Sequence, residues 1–151
     1  MTKTTQKWDN RFLDLAQHVA TWSKDPSTQV GCVLVNQERV VVGLGYNGFP
    51  RGVCDHAERL EDRDTKYQMV QHAETNAVLN ASASVKGCTA YVTHAPCANC
   101  TGILIQAGIN RIVTLPTPAG LAERFAESYK ISTQMLNEAK IPLEFMPPSA
   151  T

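Results

Sequence analysis

Four residues of this 151-residue chain have the types and spacing to do chemistry together: His72, Glu74, Cys97 and Cys100. Cys97 and Cys100 form a C-x-x-C pair, two soft anionic ligands in the spacing that a helix start offers to zinc. His72 brings the count to three. Structural zinc takes four protein ligands, whereas catalytic zinc keeps three and leaves one position for water. Glu74 is the informative extra. In mid-helix, residues two apart point about 200° away from each other at roughly 100° per residue. At a helix start, His72 and Glu74 can instead flank one cavity above the terminus, with the backbone N–H of Ala73 aimed into the same space. An unligated carboxylate beside three-coordinate zinc can take a proton from water and return it elsewhere, which suits hydrolysis of an amidine-like carbon with loss of ammonia.

Pro96 precedes the cysteine pair and can open a helix without sacrificing a needed donor. His72, Glu74, Pro96, Cys97 and Cys100 therefore match H-x-E with P-C-x-x-C, the signature of zinc nucleobase deaminases. Alone, the C-x-x-C would fit a redox pair or a structural zinc equally well. With H-x-E present, catalysis is the better reading.

The elements that must hold these residues follow from periodicity. Phe12, Leu15, Ala16 and Val19 mark an amphipathic first helix between Trp8 and Trp22. The β-branched runs 30–35 and 39–46 flank a turn-like NQE and predict an antiparallel hairpin. A charged stretch, ERLEDRDTK at 58–66, reads as a solvated, irregular face. Then come the helix of the H-x-E motif, a strand through TAYVTHA, a helix ending at Gly108, the strand RIVTL, more helix, and a short strand in PLEFM. This alternation predicts an α/β fold whose sheet has a parallel portion and helices on both faces. No repeat or linker interrupts it, so residues 1–151 read as one domain with a frayed tail at 147–151.

Charged residues are 19% of the chain and the formal net charge is zero. A duplex-binding surface needs a basic excess, so a nucleic-acid polymer is not the expected partner and a single nucleotide fits better. No run is long and apolar enough for a signal peptide or a membrane span, and a cytoplasmic protein is expected. Five cysteines form an odd set, which argues against a disulfide framework. Cys32 and Cys88 read as small buried fillers. Cys54 and His56 stand in C-x-H spacing, but two ligands are too few for a second zinc.

Beyond these motifs the chain closely resembles deoxycytidylate (dCMP) deaminases over about Ser23 to Leu115. SKDPSTQVG, GYNGFPRGV, DTKYQMVQHAETNAVLN, KGCTAYVTHAPCANC and IQAGINRIV carry the resemblance. It implies a cytidine-deaminase-like three-layer α/β/α fold with a five-stranded mixed sheet, and hydrolysis of dCMP to dUMP and ammonia. It also implies a homo-oligomer, commonly a hexamer, activated by dCTP and inhibited by dTTP, with Mg²⁺ accompanying the triphosphate.

At residue level, the resemblance implies that Asn47 holds the deoxyribose and that the GYNG loop lies between substrate and effector. Expected substrate contacts are Lys24, Ser27, Asn47, Ala73, His94, Pro96 and Tyr129; expected effector contacts are Gly43, Gly45, Tyr46, Asn47, Gly48 and Arg51. Physically, Gly45 and Gly48 permit close backbone approach, Tyr46 offers a flat face, and Asn47 offers donor and acceptor. Lys24 and Arg51 would add charge near phosphates. His94 is close enough to the cysteine helix to line the pocket, though a satisfied strand-end histidine reads as well. AESYKISTQML departs from the tyrosine-histidine-aspartate-serine stretch of many relatives, which leaves Tyr129 and Ser132 as substitutes. Two rivals remain: the same chemistry on dCTP, cytidine or an RNA base, and a nucleotide-sensing protein whose zinc is structural. Glu74 speaks against the second.

Overall fold

The computed structural model describes residues 3–147, so the tail expectation at 148–151 lies outside the described residues. In chain order the elements are α1 (Lys3–Ala20), β1 (Gly31–Val35), β2 (Val41–Tyr46), α2 (Ala57–Glu61), α3 (Arg63–Met69) and α4 (Ala73–Leu79). They continue with β3 (Thr89–Val92), α5 (Ala98–Ala107), β4 (Arg111–Thr114), α6 (Ala119–Arg124), α7 (Ala126–Ala139) and β5 (Leu143–Phe145). The sheet runs β2-β1-β3-β4-β5. β1 pairs antiparallel with both β2 and β3, while β3/β4 and β4/β5 are parallel, which is the expected five-stranded mixed sheet.

Side chains alternate faces along a strand, and β1 uses both. Cys32 and Leu34 enter one core with Ala73, Ala77, Leu104 and Leu136; Val33 and Val35 enter the other with Phe12, Leu13, Ala16 and Val19. Helices α4, α5 and α7 thus cover one face and α1 covers the other. A strand buried on both sides reads as a continuous apolar run, which is why GCVLV is buried throughout. Each fully buried leucine in these layers contributes about 1.5–3 kcal/mol.

Two local features bring the site elements close. A Cβ on Gly43 would stand 2.6 Å from the carbonyl oxygen of Ala77, and one on Gly45 would collide with the backbones of Ala73 and Ala77. The glycines of β2 therefore let α4 lie against the sheet, and the approach they permit is to this helix. At the other end of the motif, α5 stops at Gly108 in the left-handed region with φ 91°, the glycine cap that its position predicts.

The stretch ERLEDRDTK differs from the expectation of an irregular solvated face. It forms most of α2 and α3, and Lys66 within it is only 6% exposed. Its burial depends on Asp25, 41 positions away, which no local pattern reveals. On the opposite side of the sheet, Asp9 of α1 is 1% exposed and accepts from Arg111 at 2.9 and 2.6 Å and from the Tyr91 hydroxyl at 2.6 Å. That network fastens α1 to β3 and β4.

Candidate active site

His72 and Cys97 are each the residue that begins a helix, α4 and α5 respectively, with extended backbone at φ −73°, ψ 156° and φ −68°, ψ 171°. Neither side chain caps its own helix. Both turn toward each other, because the two helix starts meet at the same end of the sheet. His72 Nδ1 lies 3.6 Å from Cys97 Sγ and 3.2 Å from Cys100 Sγ. All three ligand atoms fall within 4.8 Å of one another, and they are the one such metal-ligating group among the described residues. Two thiols and an imidazole nitrogen converging at this distance fit tetrahedral zinc with a position to spare. Cys54 and His56 join no such group, and His56 Nδ1 instead accepts the Arg59 amide at 3.3 Å.

Helix α7 holds the cysteine loop from outside. Ser128 Oγ accepts the Ala98 amide at 2.8 Å, and Ser132 Oγ donates to the Pro96 carbonyl at 3.1 Å. These bonds bracket Cys97, one on each side. Thr75 Oγ1 stands 4.0 Å from Cys100 Sγ.

Electrostatics sort the triad. Hydrogen bonding from Cys100, then from His72, lowers the Cys97 thiol below the ordinary thiol range. Cys100, as the donor of that pair, is pushed up. The bond to Cys97 raises His72. Glu74 is only 4% exposed, and burial pushes its carboxyl up to about 7, against the lowering pull of its own backbone hydrogen bond and of His72. A carboxyl that changes protonation near neutrality can both accept and return a proton. Cys32, buried on the strand beneath, has its thiol raised by burial and then by the charge of Glu74.

His72, Cys97 and Glu74 open into a cavity of about 170 Å³, with Cys100 buried behind them. Of the substrate contacts expected from sequence, Ser27, Asn47, Ala73, His94 and Tyr129 line it, with burial raising the Tyr129 hydroxyl. Asn47 is braced: its side-chain oxygen accepts the Val30 amide at 2.9 Å and its nitrogen donates to the Thr28 carbonyl at 2.9 Å. One lone pair and one N–H remain for a ligand. Lys24 is elsewhere, exposed and paired with Asp55 at 3.0 Å, and Pro96 stays behind the wall with its carbonyl held by Ser132. Sequence reasoning missed Arg63, Lys66, Tyr67, Arg124 and Phe125, which also line it. Tyr67 receives a hydrogen bond from Arg124, and Arg63 stands 6.0 Å over its ring. The positive rim thus comes from α3 and α6.

A second, open cavity of about 570 Å³ runs along β2, lined by Gly43, Gly45, Tyr46, Gly48 and Arg51 together with Asn76 and Asn80. Asn47 is not part of it. Arg51 donates to Asn80 Oδ1 at 2.6 Å, and Asn76 Nδ2 donates to the Tyr46 carbonyl at 2.8 Å. Gly48 and Gln71 exchange backbone hydrogen bonds of 3.1 and 2.7 Å, so this cavity's loop is stitched to the residue before His72.

Residues 6–115 match the family described as the cytidine and deoxycytidylate deaminase zinc-binding region. An uncharacterized deaminase of Aliivibrio fischeri is 40% identical over 141 residues, covering 93% of this chain and 95% of that protein. The deoxycytidylate deaminase of Mus musculus is 46% identical over 113 residues, which are 71% of this chain and 64% of the mouse protein. In fold, the chain resembles the dCMP deaminase of cyanophage S-TIM5 in complex with dCMP and dUMP, with a TM-score of 0.74 at 22% identity over 97% of this chain and 99% of that one.

Proposed function

From its membership of the cytidine and deoxycytidylate deaminase zinc-binding family, we propose that this chain deaminates dCMP to dUMP and ammonia. The observation that carries this reading is a single cavity walled by His72, Cys97 and buried Glu74, with Cys100 completing the triad behind them and Arg63 and Arg124 in the same lining. Two cationic side chains in that lining, Arg63 and Arg124, suit a phosphate, so a nucleotide fits better than a nucleoside or free base; the charge of Lys66 is matched by Asp25.

Zinc held by His72, Cys97 and Cys100 would supply a Lewis acid that makes a water acidic at neutral pH. Glu74 accepts the proton that water gives up as its oxygen bonds to C4 of the pyrimidine. The same carboxyl passes that proton to ring nitrogen N3, then takes the remaining proton of the new C4 hydroxyl as the C4 carbonyl forms and gives it to the exocyclic amine, which leaves as ammonia. The Ala73 amide reads the ring, while Asn47, Ser27, His94 and Tyr129 are assigned to sugar and phosphate.

The finer reading includes effector control by dCTP as activator and dTTP as inhibitor, with Mg²⁺, at the β2 cavity. Support comes from Arg51 in its lining and from the Gly48–Gln71 bridge toward His72. We assign the chain to a homo-oligomer, a hexamer, and to the cytoplasm; no helix among the described residues is long and apolar enough to cross a membrane. One experiment tests the set: ammonia release from dCMP, dCTP, deoxycytidine and guanine, each with and without dCTP or dTTP and Mg²⁺. Turnover confined to dCMP and shifted by the triphosphates is expected. Equal turnover of deoxycytidine removes the nucleotide assignment, preference for dCTP moves it to the triphosphate, and unchanged rates remove the effector site.

A further inference from the structure

His94 stands where the deep cavity meets a shallow outer one, since Ser27, Thr28, His94, Leu121 and Arg124 line both. It is therefore placed toward the sugar and phosphate, beside a cationic side chain. What it can offer there depends on which ring nitrogen carries the proton.

The neighbouring hydroxyl answers that question. Thr93 is 6% exposed, and its Oγ1 accepts the backbone amide of Gly31 at 3.1 Å. The Thr93 amide in turn donates to the Gly31 carbonyl at 3.0 Å, so the two residues are clamped together. Thr93 Oγ1 also stands 3.0 Å from His94 Nδ1. The Gly31 amide can only donate, so it occupies a lone pair of Oγ1 and leaves the hydroxyl proton to be placed. Nδ1 of His94 is the acceptor within reach. Were Nδ1 protonated instead, two donors would face one buried oxygen and the hydroxyl proton would lack an acceptor, which costs about 1–3 kcal/mol for a buried group. Burial also lowers the proton affinity of the ring, in keeping with a single N–H.

Resting on the nucleotide reading above, we propose that Thr93 locks His94 in the Nε2–H tautomer, making it a hydrogen-bond donor to an acceptor oxygen on the sugar–phosphate part of the substrate. His94 is then a specificity residue for the nucleotide, and Thr93 a positioning residue that acts through it.

Two measurements test this on the zinc-loaded protein. Nitrogen-15 spectra of the histidine ring should show His94 with bare Nδ1 and protonated Nε2, and Thr93→Val should bring in the other tautomer. A protonated Nδ1 in the wild-type chain overturns the proposal whether or not dCMP is the substrate. In kinetics, glutamine places its amide N–H where Nε2 sits, and asparagine places it at Nδ1. His94→Asn should raise KM for dCMP about tenfold, the weight of one hydrogen bond, with a smaller change in kcat. His94→Gln should recover most of that loss. Equal KM in the two variants removes the donor role. Failure of dCMP turnover in the wild type would sink the substrate assignment alone, leaving the spectra to judge the tautomer.

Discussion

Lys66 and Asp25 form a buried ion pair at 3.3 Å, with 8% and 9% of their side chains exposed. The same Asp25 oxygen accepts the amides of Ser27 and Thr28 at 2.8 and 3.0 Å, so one carboxylate shapes the SKDP loop and anchors α3. Lys66 also lies 3.5 Å from Ser27 Oγ, at the cavity wall.

Removing one partner of such a pair strands the other charge. Lys66→Met should therefore destabilise the chain by about 3–5 kcal/mol and raise KM for the nucleotide, because the Asp25 loop that carries Ser27 and Thr28 into the cavity wall loses its anchor. Urea unfolding and initial-rate kinetics on the same preparation measure both. A variant as stable as wild type would show that the pair contributes nothing to folding.

Glu74 and the triad separate cleanly by metal content. Glu74→Gln leaves His72, Cys97 and Cys100 in place and should keep one zinc per chain while lowering kcat by at least 10²–10⁴, the usual worth of a general acid–base group. Cys97→Ala should lose both zinc and turnover. Elemental analysis beside kcat decides between these roles, and normal turnover in the glutamine variant would refute the proton-shuttle assignment.

The serines of α7 make a third case. Ser128 holds the Ala98 amide and Ser132 the Pro96 carbonyl, so together they fix the backbone on either side of Cys97 without touching its sulfur. The Ser128→Ala, Ser132→Ala double variant should bind zinc about 10–100-fold more weakly, as outer-shell losses commonly do. Competition with a chelator reads this directly. Unchanged affinity would mean that α5 holds the loop by itself.

How much of this was legible beforehand depends on distance along the chain. His72, Glu74, Cys97 and Cys100 could be read because their chemistry is written in two short motifs at helix starts. The hairpin, the alternation and the Gly108 cap were equally local. Lys66, Arg63 and Arg124 were not, because a charged stretch looks solvated until its counter-charge is known, and Asp25 lies 41 positions from Lys66. Lys24 misled for the same reason: its charge is spent on Asp55 at the surface. Gly45 suggested a close approach correctly, though a single sequence does not say that the approaching body is α4; Gly48, read the same way, has open space where a Cβ would stand.

His94 gives a pH dependence whose sign follows from its burial. Its folded proton affinity is lowered by burial below the ordinary histidine value, about 6.5 in the unfolded chain. The unfolded state thus binds more protons in the window between the two, and stability rises with pH there. The neutral ring is fully tolerated above about 6.5; as pH falls through that value the folded chain loses stability, until the folded ring itself protonates. Glu74 and His72 titrate with the opposite tendency, both being raised, so wild type alone would blur the effect. The difference in unfolding free energy between wild type and His94→Gln isolates it. That difference should shift against wild type as the pH is lowered from about 7.5 to about 5, on either side of the ordinary histidine value. A difference independent of pH would mean that His94 is as easily protonated in the folded chain as in the unfolded one.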